Sequence, residues 1–225
     1  MLNNKITKQA VVLLGGKLII ESWVKDIVET CEIIVAADHG VSHCLKMNIT
    51  PDLCVGDFDS ISHKDLITAK QLGWKFKQFS KDKDKTDGQI AVEEALNLGA
   101  KKITILAGLH GGSRLDHLLG NVFLLSSNNL VHKDIKLVDK NIEISLITPK
   151  AIHNINQSKN TSLSLIPLTH YVKGIKSFGL KYNLSEEDLH MGHTKGISNV
   201  VLKENAKVSI VEGLLLIIKY KLNIT

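Results

Sequence analysis

Two aspartates stand two residues apart in Gly56-Asp57-Phe58-Asp59-Ser60. On extended backbone, side chains at that spacing leave the same face of the chain. Two adjacent carboxylates repel, and a hard divalent ion that takes oxygen ligands, such as Mg2+, removes the repulsion. The pair therefore reads as one edge of a metal seat. A D-x-D in a turn can equally do no more than cap the following helix, so the reading depends on matching chemistry elsewhere. The run Ser80-Lys81-Asp82-Lys83-Asp84-Lys85-Thr86-Asp87 mixes lysines with acids at the entry to a helix. A solvated loop accounts for alternating charge, and Thr86 with Gln89 forms a capping box. Lysines crowded at an acidic helix start also suit a site for metal plus polyphosphate, with ammonium groups on phosphate oxygens and Asp84 or Asp87 on the ion.

The third cluster is Leu109-His110-Gly111-Gly112-Ser113-Arg114, followed by Asp116 and His117. A glycine-rich segment leading into a helix offers free N–H groups to an anion, and the Arg114 fork fits a phosphate. Asp116 and His117 can serve a ligand or merely stabilise the first helical turn. Asp38 follows an apolar run directly, where a carboxylate reaches a ligand hydroxyl or a metal-bound water, or else caps the next helix. Gly15-Gly16 after the first apolar run reads as a turn more readily than as a phosphate loop, because neither glycine-rich fingerprint is present. His39 and His43, four apart, could share a metal; without other soft ligands, packed or solvent-facing rings are expected.

The elements that must hold these groups alternate. Apolar runs at 10–14, 32–37, 51–55, 102–108 and 135–139 and the polar–apolar alternation at 75–79 read as strands, and segments 18–30, 40–47, 62–73, 90–98 and 114–125 as helices. That alternation predicts an α/β fold with a parallel sheet, which binds ligands at the carboxyl ends of its strands. Beyond residue 142 the helical period disappears. Short runs at 143–148, 161–168, 171–178, 197–202, 206–211 and 214–221, separated by glycines, predict an antiparallel sandwich or barrel. Two domains are expected, 1–142 and 143–225.

Composition narrows the class. Of the 225 residues 44% are hydrophobic and 23% charged, ordinary globular values. The net charge of +5 divides into +1 over residues 1–140 and +4 over the remainder, with no dense basic block. Nucleic-acid binding is not expected, whereas a mildly positive pocket for a phosphorylated small molecule is. Cys31, Cys44 and Cys54 are odd in number and lack C-x-x-C spacing, so they read as reduced core residues. The apolar run 214–218 is too short to span a bilayer, and residues 1–10 lack a signal-peptide core. A cytoplasmic protein without membrane association is expected.

Taken in order, Ala37-Asp38-His39-Gly40, Pro51-Asp52 with Gly56-Asp57-Phe58-Asp59-Ser60, Lys85-Thr86-Asp87, Gly111-Gly112-Ser113-Arg114-Leu115-Asp116-His117 with Asn121, Gly179-Leu180-Lys181-Tyr182 and Gly196-Ile197-Ser198-Asn199 resemble thiamine pyrophosphokinases. The resemblance runs from about residue 10 to the C-terminus. It implies transfer of a diphosphate group from ATP to the hydroxyethyl oxygen of thiamine, with Mg2+, giving thiamine diphosphate and AMP. It also implies a nucleotide-binding α/β domain, a thiamine-binding β-sandwich domain, and a homodimer whose active sites form at the subunit interface. Matched residue by residue, Asp57, Asp59 and Asp87 take the metal and Asp38 lies beside it. Lys83, Lys85, Thr86, Gly112, Arg114 and His117 form the expected nucleotide-contacting set. Asp116, Ser198 and Asn199 are the expected thiamine contacts, and Asp116 joins Arg114 and the four other aspartates in the catalytic set. The chain departs from the family pattern at His39, where a second glycine is common, at the additional Ser113, and at Asn183, where proline is usual. Two other readings remain at this point: a diphosphokinase of the same fold acting on a pterin alcohol, and a non-catalytic binder of thiamine diphosphate or nucleotide.

Overall fold

The computed structural model describes residues 7–109, 114–155 and 161–220. The chain divides into two compact units, Met1–Leu124 with Lys133–Asp139, and Leu125–His132 with Lys140–Thr225. The first unit alternates β1 (Gln9–Leu13), α1 (Ser22–Glu29), β2 (Ile33–Ala37), α2 (Gly40–Met47), β3 (Leu53–Gly56), α3 (His63–Gln71), β4 (Phe76–Gln78), α4 (Asp87–Asn97), β5 (Lys102–Leu106), α5 (Leu115–Leu124) and β6 (Asp134–Asp139). The strands pair in parallel in the order β6-β5-β1-β2-β3-β4. The chain thus builds outward from β1 to β4, then restarts at β5 on the other side of β1. Such a reversal opens a crevice at the strands' carboxyl ends, the usual ligand position in this architecture.

The strand sequences explain the layering. Val11, Val12 and Leu13 of β1 are fully buried although successive side chains point to opposite faces, as expected of a central strand covered on both sides. Val11 and Leu13 pack with Val24 and Val28 of α1, Val41 and Cys44 of α2 and Ala69 of α3, while α4 lies across β1, β2 and β3. Each complete burial of a Val or Leu side chain contributes about 1.5–3 kcal/mol. Ser62 caps α3, its hydroxyl accepting from Asp65 N at 3.1 Å. Thr86 caps α4 in the same way, accepting from Gln89 N at 3.2 Å. The capping box is only half formed, since Gln89 Nε2 turns to Glu93 Oε1 at 3.1 Å instead of returning to Thr86. Helix α1 starts four residues later than its apolar spacing predicts, at Ser22.

The second unit carries β7 (Ile142–Ile147), β8 (Ile152–Asn154), β9 (Ser162–Pro167), β10 (Tyr171–Phe178), β11 (Ser185–His190), β12 (Asn199–Val200), β13 (Lys207–Ser209) and β14 (Leu215–Tyr220). They form antiparallel pairings in the orders β12-β9-β14-β7 and β11-β10-β13-β8. Leu163, Leu165, Leu215 and Ile217 from one set share a buried core with Val172, Ile175, Leu189 and Val208 from the other. Two sheets closing face to face over such a core make a β-sandwich. No described helix is long and apolar enough to cross a membrane.

Candidate active site

The carboxyl ends of β1, β2, β3 and β5 open into a cleft of about 980 Å³ in the first unit. Gly15, Gly16 and Lys17 line it after β1, Asp38 and His39 after β2, Asp57, Asp59 and Ser60 after β3, and Ala107 and Gly108 after β5. Thr86, Asp87 and Gly88 enter from the start of α4, and Arg114, Asp116, His117 and Asn121 from α5 and the residue before it. Three non-glycine residues at these strand ends hold left-handed backbone: Asp38 (φ 45°), Phe58 (φ 64°) and Ala107 (φ 58°). Each such residue costs on the order of 1–2 kcal/mol, and such strain concentrates where a site over-determines the backbone.

Three of the expected carboxylates come together here. Asp38 Oδ1 accepts from Phe58 N at 3.1 Å, which ties the end of β2 to the turn after β3. Asp57 Oδ1 accepts from Asp59 N at 3.0 Å. Lys83 Nζ lies 3.1 Å from Asp87 Oδ1 and 4.0 Å from Asp57 Oδ2, and donates to Ser80 O at 2.9 Å. Asp87 Oδ1 is buried and, despite that ion pair, has no hydrogen-bond partner. The Asp38 carboxyl is pushed up to about 7, first by burial and then by the negative charge of Asp87 and, to a lesser degree, Asp57. Asp59 turns aside, pairing with Lys81 Nζ at 2.5 Å, and that hydrogen bond holds its carboxyl below the ordinary carboxylate range. Among the described residues no three His, Cys, Asp or Glu side chains are grouped as metal ligands. Asp57 and Asp87 share one ammonium and Asp59 takes another, because unpaired carboxylates this close would repel.

The folded protein holds the Asp38 proton more tightly than the unfolded chain does. Its contribution to stability is therefore full below the ordinary carboxylate value of 3.8 and declines as pH rises through about 7. Asp38→Asn keeps an oxygen for Phe58 N and removes the charge. In metal-free buffer it is expected to be more stable than the wild type by about 1–2 kcal/mol at roughly pH 8, after allowing for solvent screening, and by little at roughly pH 4, as read by chemical denaturation.

The remaining expected residues divide. Thr86 caps α4 while lining the cleft. Lys85 turns away to Glu93, with contacts of 2.7 and 3.0 Å, and is not among the lining residues. Arg114 forks onto Asp116 through Nε at 2.9 Å and Nη2 at 2.7 Å, and this hydrogen bonding holds the Asp116 carboxyl well below its usual range. His117 lines the cleft. Gly112, with residues 110–113, lies outside the described residues. In the second unit Ser198 is exposed with φ 61°, and its N–H donates to Ser164 Oγ at 3.2 Å. Asn199 is buried, and its amide accepts from Tyr182 N at 3.0 Å and donates to Tyr182 O at 2.7 Å. That amide acts as a strand partner for the turn at 180–183 and leaves little to offer a ligand.

Lys17, Lys81 and Asn121 line the cleft without having been assigned a role from the sequence. Lys17 is signalled only by its place after Gly15-Gly16, and Lys81 by the charged run that also supplies Lys83. Asn121 Nδ2 donates to Gly108 O at 2.9 Å, joining α5 to the end of β5; its signal is the spacing from Arg114 and Asp116 along one helix.

Two family models match in chain order: the thiamin pyrophosphokinase catalytic domain over residues 24–138 and the thiamin pyrophosphokinase vitamin B1 binding domain over residues 152–215. A thiamine pyrophosphokinase of Bacillus subtilis is 30% identical over 186 residues, covering 82% of this chain and 86% of the relative. The crystal structure of the Bacillus subtilis thiamine pyrophosphokinase superposes with a TM-score of 0.84 at 28% identity, over 95% of this chain and 99% of that one. That of Geobacillus thermodenitrificans gives a TM-score of 0.83 at 27% identity, over 96% and 99%. Sequence, domain order and fold agree, and the chain belongs to the thiamin pyrophosphokinase family.

Proposed function

We propose that this protein transfers a diphosphate group from ATP to the hydroxyethyl oxygen of thiamine, releasing AMP and thiamine diphosphate. The observation that carries the reading is the pairing of Asp57 and Asp87 with the Lys83 ammonium at the carboxyl ends of the parallel strands, with Asp38 close enough to feel the charge of both carboxylates. In the reaction the thiamine hydroxyl oxygen bonds to the β-phosphorus, the bond from that phosphorus to the oxygen shared with the α-phosphorus breaks, and the hydroxyl proton is released. Such a transfer needs little covalent assistance, so catalysis is positioning and charge neutralisation. Lys17, Lys81, Lys83 and Arg114 provide positive charge around the cleft, and the exposed Gly15 backbone lets a phosphate approach closely.

The donor set fits Mg2+. It is made of hard oxygens, its Asp87 Oδ1 is buried without a hydrogen-bond partner, and Asp38 is driven toward its protonated form by burial and then by the negative charge of Asp87 and Asp57. Asp57 and Asp87 would hold the ion, with Asp59 released from Lys81 to join them and Asp38 beside it. When bound, Mg2+ supplies neutralisation of the charge on the transferring phosphates. In the first unit Asp116 and Arg114 are the proposed thiamine contacts; in the second, exposed Ser198 is the proposed contact, and Asn199 holds its segment in shape. A substrate screen tests the assignment: ATP and Mg2+ with thiamine should yield AMP, and a pterin alcohol in its place should not. AMP formed only with the pterin alcohol would transfer the assignment to that substrate class.

The reading extends to a cytoplasmic homodimer. Its location is supported by three free cysteines, of which Cys44 and Cys54 are buried. The dimer is supported by α5, whose Leu115, Leu119 and Phe123 recur at helical spacing and are 65%, 42% and 54% exposed in the single subunit. Active sites at the subunit interface follow if this helix, which begins at the cleft, is the contact. Light scattering should give about twice the 24.8 kDa chain mass, and Leu119→Asp should shift the protein to monomer with most of its activity lost.

A further inference from the structure

The Gly15-Gly16 segment is held more firmly than a plain turn requires. Gly16 N donates to Ala107 O at 3.0 Å, and Gly16 O is 2.8 Å from His43 Nε2. A carbonyl can only accept, which puts the imidazole proton on Nε2 and leaves Nδ1 a bare acceptor. His43 is 3% exposed and its Nδ1 has no partner. Burial lowers its pKa below the ordinary histidine value, so it stays neutral. An apolar side chain would fill this position without a buried, unpartnered nitrogen, so the gain from the imidazole lies in its bond to Gly16. The reach is built by Gly40: a Cβ there would meet Leu13 O at 2.0 Å, so only glycine lets the start of α2 rest on the end of β1. His43 stands one turn further along α2, edge-on to His39 at a centroid distance of 5.5 Å. On either side of the pinned Gly16 peptide, Gly15 and Lys17 are exposed and line the cleft.

We infer that His43 is a positioning residue for nucleotide binding, drawing the Gly16 carbonyl into the protein so that the Gly15 backbone and Lys17 face the triphosphate. The inference rests on the ATP-dependent reaction proposed above. His43 itself touches no substrate. A carbonyl oxygen turned toward the cleft would repel phosphate oxygens, and the imidazole N–H removes that possibility without introducing a buried charge.

Two amide variants separate the contact from the filling of space. In His43→Gln the amide extends to about where Nε2 stands, whereas in His43→Asn it stops near the Nδ1 position. Binding of a non-hydrolysable ATP analogue with Mg2+, measured by calorimetry, and the KM values for ATP and thiamine are compared in the full chain. His43→Asn is expected to weaken analogue binding and raise the ATP KM by about tenfold, with kcat and the thiamine KM changed by less than about threefold; His43→Gln should restore most of the loss. If His43→Asn does not fold, His43→Leu, which fills the site without a polar atom, carries the same expectation. Wild-type nucleotide affinity in His43→Asn or His43→Leu overturns the assignment, as does equal weakening for ATP and thiamine that His43→Gln does not relieve. A wild-type protein that binds no nucleotide overturns the ATP reading together with it, so the two failures are distinguishable.

Discussion

Asp87→Asn is expected to remain folded and to lose nearly all turnover, with kcat reduced by roughly a thousandfold, equivalent to about 4 kcal/mol of transition-state stabilisation. Asp87 begins α4, where the capping hydroxyl of Thr86 and the rest of the first turn are unaffected by replacing one carboxylate oxygen with an amide. The amide removes the charge that Lys83 pairs with at 3.1 Å and that drives Asp38 upward. The same substitution should therefore bring the Asp38 carboxyl closer to its ordinary value, which carbon-detected titration of the Asp38 side chain can read. Retained turnover in Asp87→Asn, or an Asp38 titration that does not move, would contradict the shared-charge picture of the cleft.

The second large effect is expected at Gly56. Its φ of 143° lies where side-chain-bearing residues are rarely found, and a Cβ there would stand 1.9 Å from Asp38 Oδ1. Asp38 cannot easily yield, because it is itself in left-handed backbone and its Oδ1 is bound to Phe58 N. Gly56→Ala should destabilise the protein by about 2–4 kcal/mol and reduce activity at least a hundredfold, the order expected of a clash combined with backbone strain. Adding Asp38→Ala removes the clash but not the strain, so the double variant should recover part of the melting temperature and none of the activity. A Gly56→Ala protein with wild-type melting temperature and rate would show that the approach of β3 to Asp38 is not needed.

Much of this arrangement was legible in the residues. The apolar runs of β1, β2 and β3 are mostly buried on both faces and bounded by glycine or polar turns, so strand position and parallel pairing follow from alternation with helices. The metal seat was legible as chemistry but not as geometry. Spacing places Asp57 and Asp59 on one face only while the backbone stays extended, and Phe58 between them is left-handed with φ 64°. That one residue sends Asp57 inward to Lys83 and Asp59 outward to Lys81. Lys85 reads as a phosphate ligand from the charged run and the Lys85-Thr86-Asp87 motif, whereas in the fold Glu93, eight residues on, is within its reach. Pairings of that kind depend on how a loop meets the helix after it, which periodicity does not encode.

The second unit was legible in its interior strands and at the outer strand β12, but not at two other edges. β8 and β11 were missed, and both are outer strands of their sheet. An outer strand has one unpaired flank, carries more polar residues and needs no apolar alternation, as Ser185-Glu186-Glu187-Asp188 shows. Asn199 shows what pairing across the fold adds. An asparagine beside a serine in a glycine-marked segment looks like a ligand contact, but its amide matches a backbone donor and acceptor pair at Tyr182. Only the fold brings residues 182 and 199 together.

The most direct test of the whole account follows the two outer phosphorus atoms of ATP. With thiamine and Mg2+, separate reactions using ATP labelled at the β- or the γ-phosphorus should each place the label in thiamine diphosphate, with AMP unlabelled and formed in equal amount. Label from the γ-phosphorus alone in a thiamine monophosphate product, with ADP released, would contradict diphosphate transfer and the positioning of the β-phosphorus among Asp57, Asp87 and the lysines.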